Sequence, residues 1–136
     1  MQLSENFTLE EFTTSQTALS KRIRNIPGPR EIANLNKLCS QILQPIRNRI
    51  DLAIHVTSGF RCPVLNKAIG GENTSQHLTG EAADIVCYDN KLLWKVIIEM
   101  IRRKEIVVGQ LINEKNLSWI HISLPTSSHT NQILAL

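Results

Sequence analysis

Apolar residues along the chain fall into blocks of helical or strand period, parted by short polar stretches. The first block is Phe7-Thr8-Leu9-Glu10-Glu11-Phe12. Thr8 and Glu11 have capping-box spacing, Phe7 and Phe12 flank them as a hydrophobic staple, and a short helix is predicted from Leu9. Arg24 to Pro29, with two prolines and a glycine, predicts a loop. From about Pro29 to Arg49 a longer helix is predicted. Its stripe is Ile32, Leu35, Leu38, Cys39, Ile42, Ile46 and Ile50, with a period near 3.6. Pro45 lies inside it, removes one backbone donor and crowds the preceding turn, which predicts a kink or break.

Ala53-Ile54-His55-Val56-Thr57 has the pattern of a short strand. Pro63 to Ile69 fits one or two helical turns, stopped by Gly70-Gly71, where positive-φ geometry is expected. Glu81 to Tyr88 carries the apolar run of a buried strand. Asn90 is expected to cap a helix to about Arg103, with Leu92, Leu93, Val96, Ile97, Met100 and Ile101 as its inner stripe. Ile106 to Glu114 and Trp119 to Ser123 predict two strands of a hairpin. The tail after Pro125 is polar and then weakly apolar, and the pattern assigns it no element. Helices and strands are partly segregated, which predicts an α+β fold with a small, largely antiparallel sheet. No repeat, low-complexity tract or linker divides the chain, so residues 1–136 are expected to form one domain.

Composition narrows the function classes. Apolar residues make up 42% and charged residues 20%, the balance of a globular core rather than of a disordered chain. No apolar run approaches the roughly 18 to 20 residues of a membrane span. Lys and Arg number 15 against 12 Asp and Glu, and the slight excess is scattered, so no nucleic-acid partner is expected. The three cysteines have no CxxC spacing, which argues against a disulfide framework or zinc knuckle. Cys39 falls on the helical stripe and is expected in the core; Cys62 is expected to be structural. The N-terminus has neither a basic region nor an apolar segment, so no signal peptide is read and synthesis in the cytoplasm is expected. The protein is expected to act as a monomer.

Chemistry concentrates in the polar, glycine-bearing stretches Ser58 to Gly71 and Ser75 to Asp84. His77 closes a loop, Gly80 lets the chain turn, and Asp84 follows in a strand. His121 lies in Trp119-Ile120-His121-Ile122-Ser123, on the opposite face from Ile120 and Ile122. Two histidines and a carboxylate form a zinc set with a fourth position left for water. On spacing alone the metal set is a weak signal, and a capping histidine, a strand-end aspartate and an exposed strand histidine are the commoner reading. His55 is expected to be packed or hydrogen-bonded, His129 exposed, and Trp94 and Trp119 core or pocket wall.

The segments SGFRCPVLNKAIGG, SQHLTGEAAD and WIHIS resemble the zinc D-alanyl-D-alanine carboxypeptidases and their relatives. These include phage L-alanyl-D-glutamate endopeptidase endolysins, the vancomycin-resistance D,D-dipeptidases and, more distantly, the hedgehog signalling domain. The pattern S-x-H-x-x-G-x-A-x-D, then W-x-H, stands here as Ser75 to Asp84 and Trp119 to His121. The resemblance runs from about Leu3 to Ser123. It implies helices packed on one side of the sheet, zinc held by His77, Asp84 and His121, and a peptidoglycan stem peptide as substrate. It further implies that Arg61 holds a substrate carboxylate, with a hydrogen bond from Ser75. Carboxypeptidases and endopeptidases share these motifs, so the bond cut stays open. In a phage or prophage setting the expected site of action is the cell wall.

Two positions depart from the common pattern. Many members carry a catalytic acid three residues before the last zinc histidine, where this chain has Ser118; compact members place a glutamate at the end of a QLIxE strand, matched here by Gln110 to Glu114. Cys62 stands where serine is usual. If Lys115 to Ser118 forms a four-residue hairpin loop, Glu114 pairs with Trp119 and Ile112 with His121. Glu114 and His121 then share a face as diagonal neighbours, and Glu114 is the expected general base. The rival function is a zinc-stabilised module that grips the wall or a protein without hydrolysis, and a competent base beside the metal discriminates against it.

Overall fold

The computed structural model describes residues 1–136. The chain opens on a two-stranded ladder, β1 (Gln2–Ser4) against β2 (Phe7–Thr8). The first helix, α1 (Leu9–Thr13), begins where the capping box places it. Glu11 Oε1 accepts from the Thr8 backbone N–H at 3.3 Å, and the Phe7 and Phe12 rings pack with centroids 6.2 Å apart. A further short helix, α2 (Gln16–Ser20), was not evident in the apolar pattern. Ser15 starts it, its Oγ accepting from the Ala18 N–H at 3.2 Å.

The long apolar stripe folds as α3 (Pro29–Leu38), one π-helical turn (Cys39–Leu43) and α4 (Gln44–Ile50). Pro45 therefore does not break the element. The Gln44 N–H donates to the Cys39 carbonyl, five residues back, and this wider turn precedes the proline. Pro45 then sits in the first turn of α4, where a missing N–H costs least. Leu35, Leu38, Cys39, Ile42 and Ile46 are buried. Burial, with the Glu11 charge adding, pushes the Cys39 thiol up to about 12, as suits a core residue.

The remaining elements are β3 (Ile54–Ser58), α5 (Pro63–Ala68), a 3₁₀ turn (Gln76–Thr79), β4 (Ala82–Cys87), α6 (Asn90–Arg102), β5 (Gln110–Glu114), β6 (Trp119–Ser123) and β7 (Gln132–Ala135). Three details correct the sequence expectation. Asp89, not Asn90, caps α6, its Oδ1 accepting from the Leu92 N–H; Asn90 instead donates to the Leu117 carbonyl. Ile106 and Val108 are buried outside any strand, and β5 starts only at Gln110. Gly70 has φ +76°, but Gly71 serves by its size: a Cβ there would lie 2.1 Å from Asn66 Oδ1.

The main sheet has the order β3-β4-β6-β5-β7, antiparallel except for the β5–β7 pair. Its register separates two faces. Ala83, Ile85, Leu111, Ile120 and Ile122 fill one face, joined in the core by Leu35, Leu38, Ile42 and Ile46 of α3, the π turn and α4, and by Leu93, Ile97 and Met100 of α6. The opposite face carries Asp84, His121, Ile112, Glu114 and Trp119, which alternate along their strands with the residues of the core face. The fold is thus α+β with helices against one face, and the chemistry lies on the other. No helix is long and apolar enough to cross a membrane.

Candidate metal centre

The 3₁₀ turn places His77. Ser75 Oγ accepts from the His77 backbone N–H at 3.2 Å and so starts the turn. Gly80 ends it at φ +78°, where a Cβ would stand 2.5 Å from the Glu31 carbonyl oxygen, so only glycine fits. β4 then carries Asp84 directly opposite His121 of β6. His77 Nε2 lies 3.3 Å and His121 Nδ1 3.0 Å from Asp84 Oδ1. The two imidazoles meet edge to face, centroids 5.2 Å apart. One potential ligand atom from each of the three residues lies within 4.8 Å of the others.

The surroundings fix how His77 presents itself. Its ring is buried, and Nδ1 lies 2.7 Å from the Gly59 carbonyl oxygen. A carbonyl only accepts, so Nδ1 carries a proton and Nε2 is the nitrogen that faces Asp84 and is left for a metal, the arrangement by which metal-ligating histidines are held. Burial pushes the Asp84 carboxyl up. The hydrogen bonds to His121 and His77, and their charge, outweigh it and hold the group well below the usual carboxylate range. Two imidazole nitrogens and a carboxylate oxygen are a donor set that suits zinc, and a bound cation would take the place of the protons they share.

Around this triad the sheet face and the 3₁₀ turn form a cleft of about 450 Å³. Arg61, Ser75, Glu114 and Trp119 line it, as does His129. The hairpin has the register expected of a four-residue loop, Glu114 opposite Trp119 and Ile112 opposite His121. Glu114 is therefore on the metal-facing side, diagonal to His121 and half-buried. Arg61 is half-buried, and its Nε–H is buried without a hydrogen-bond partner. Burial pulls its guanidinium below the usual range, and the charge of Asp84 partly offsets this. The Ser75 hydroxyl accepts from His77 and keeps its own proton for donation.

Two expectations change. His129 is half-buried in the cleft rather than exposed in the tail. Its turn is closed by the Thr126 N–H donating to the His129 carbonyl at 2.9 Å and is followed by Asn131, tied to Val108. Nothing local in the sequence signals this. His55 is exposed and lines a separate groove of about 730 Å³ between α1, α2 and β3 that holds none of the triad. Cys62 is half-buried at the start of α5, outside the ligand group, as expected of a structural residue. Trp119 walls the cleft, and Trp94 packs against the core.

A comparison with the curated proteins finds no match. The family profile described as Peptidase M15 matches residues 5–123, a span that begins before α1, ends with β6 and encloses all three members of the triad. M15 peptidases are zinc dependent, which agrees with the donor set that β4, β6 and the 3₁₀ turn bring together. By its matched length and by this shared chemistry, the chain belongs to the peptidase M15 family of zinc metallopeptidases.

Proposed function

We propose that the protein hydrolyses stem peptides of peptidoglycan, as a carboxypeptidase or an endopeptidase, with zinc held by His77, Asp84 and His121. The observation that carries the substrate class is Arg61: a guanidinium beside the triad whose buried Nε–H finds no partner in the protein. An unsatisfied buried donor is costly, and a carboxylate supplies the planar acceptor pair that a guanidinium fork matches. Stem peptides bear such carboxylates on D-glutamate and on terminal D-alanine. Ser75, at the rim of the same cleft, donates its free hydroxyl proton to the held group.

When bound, zinc supplies Lewis acidity to water and to the scissile carbonyl. Glu114 takes the proton of the attacking water and passes it to the leaving amine. Its position diagonal to His121 favours hydrolysis over a purely binding role. Trp119 closes the side of the cleft next to Glu114, and Lys115 Nζ lies 5.5 Å from the centre of its ring. Action at the cell wall belongs to this reading.

Incubating purified sacculi with the protein, with and without chelator, tests it. Release of new peptide ends, identified by mass spectrometry and abolished by chelator, is the expected result. Intact sacculi after treatment with zinc-loaded protein would overturn it.

A further inference from the structure

The loop between α2 and α3 contributes one side chain that reaches the cleft's support. Asn25 is half-buried, and its amide is engaged on both ends. Nδ2 donates to the Thr13 carbonyl at 3.0 Å and to the Phe60 carbonyl at 2.9 Å. Oδ1 accepts from the Cys62 N–H at 2.8 Å. Phe60 and Cys62 flank Arg61. The Phe60 carbonyl belongs to the peptide plane before Arg61, and the Cys62 N–H belongs to the plane after it. Those two planes define φ and ψ of Arg61. The remaining polar group of the first plane, the Arg61 N–H, donates to the His77 carbonyl at 3.0 Å.

We propose that Asn25 is a positioning residue of the cleft: by gripping both peptide planes of Arg61 it fixes the direction in which the guanidinium enters. Only an amide of this length offers two donors and an acceptor at one point. An aspartate keeps the acceptor, loses both donors and sets a charge against two carbonyls. The backbone direction matters because Arg61 has no partner for its Nε–H to anchor it from the far end. The same grip steadies the Gly59 carbonyl, one residue before Phe60, on which His77 Nδ1 rests at 2.7 Å. The link to substrate rests on the proposed function; the link to Arg61 does not.

Two measurements separate these links. The first is ¹⁵N relaxation of the Arg61 Nε–H in zinc-loaded protein, its resonance assigned by its loss in Arg61→Lys. An order parameter near that of rigid backbone, about 0.85, is expected in the wild type, falling below about 0.6 in Asn25→Ala. Zinc content and thermal midpoint, read alongside, establish that the variant is folded. If Asn25→Ala does not fold, Asn25→Asp takes its place, with the same fall expected. An unchanged order parameter in a folded variant overturns the proposal. The second is a double-mutant cycle on sacculus turnover. Asn25→Ala and Arg61→Lys should each lower kcat/KM about tenfold, and the double variant should be no more than about twofold worse than Arg61→Lys alone. A product of the two losses, about a hundredfold, means that Asn25 acts apart from Arg61 and also overturns the proposal. If wild-type protein leaves sacculi intact, the proposed function fails, and the relaxation measurement still decides the role of Asn25.

Discussion

At the scale of single residues, the proposed reaction divides labour between a triad that could hold the metal and groups placed to face substrate. Glu114 lies outside the ligand triad yet on its face of the sheet, so its removal should separate catalysis from metal binding. Glu114→Gln is expected to keep zinc and thermal stability and to lose about two or more orders of magnitude in rate, the usual scale for a general base. Near-normal turnover in that variant would move the role elsewhere, with Glu72, which also lines the cleft, first to be examined. Arg61 tests the other half. Lysine keeps the charge but presents a point rather than a planar fork. Arg61→Lys should retain fold and zinc and lower turnover of carboxylate-bearing peptides about tenfold or more. Equal kinetics on such peptides would remove Arg61 from the site.

At the scale of elements, the β5–β6 hairpin decides whether Glu114 can take the proposed role of base, since a one-residue slip would turn it to the helix-covered face. Its loop is unusual in that Lys115, Asn116 and Leu117 all have left-handed φ, at 46°, 57° and 61°. The Leu117 N–H donates to Asn113 Oδ1 at 2.6 Å, and the Ser118 N–H to the Glu114 carbonyl at 3.0 Å, which closes the turn. Asparagine tolerates this region and a β-branched residue does not. Asn116→Val should therefore cost about 1–2 kcal/mol by thermal or denaturant unfolding, and Asn116→Gly should be neutral or mildly stabilising. Equal stability of the two would show that the loop is not held left-handed. The register was legible in the sequence because a four-residue loop between two alternating strands leaves one pairing that buries Leu111, Ile120 and Ile122 together. The strand β7 was not. Its residue types do not follow its burial, since apolar Ile133 and Ala135 are the exposed positions, and its ladder exists only because β5 offers a free edge to a segment some twenty residues on. The π turn before Pro45 was hidden for a related reason: the apolar stripe continues through it with little change of period, so only the backbone bond from Gln44 to Cys39 reveals it.

At the scale of the whole molecule, the motif residues were legible because ligand chemistry is carried by residue type, and the face alternation of β4 and β6 follows from period two. Their convergence with the 3₁₀ turn was not, because it depends on Gly80 passing against Glu31 and on the Gly59 carbonyl meeting His77. That convergence has a thermodynamic consequence. His77, Asp84 and His121 come from a turn and two different strands, so the native state gathers a donor set that the unfolded chain scatters from residue 77 to residue 121. A metal that binds the native state and not the unfolded one stabilises it by RT ln(1 + [L]/Kd), about 2.7 kcal/mol at a hundredfold excess over Kd. For a chain of this size that is a rise in thermal midpoint on the order of 10 °C. Adding zinc to chelator-treated protein should produce this shift, and chelator should reverse it. His77→Ala should abolish the shift, whereas Glu114→Gln and Arg61→Lys should keep it, because neither residue belongs to the donor set. No shift in the wild type, or a full shift in His77→Ala, would remove the metal from this centre.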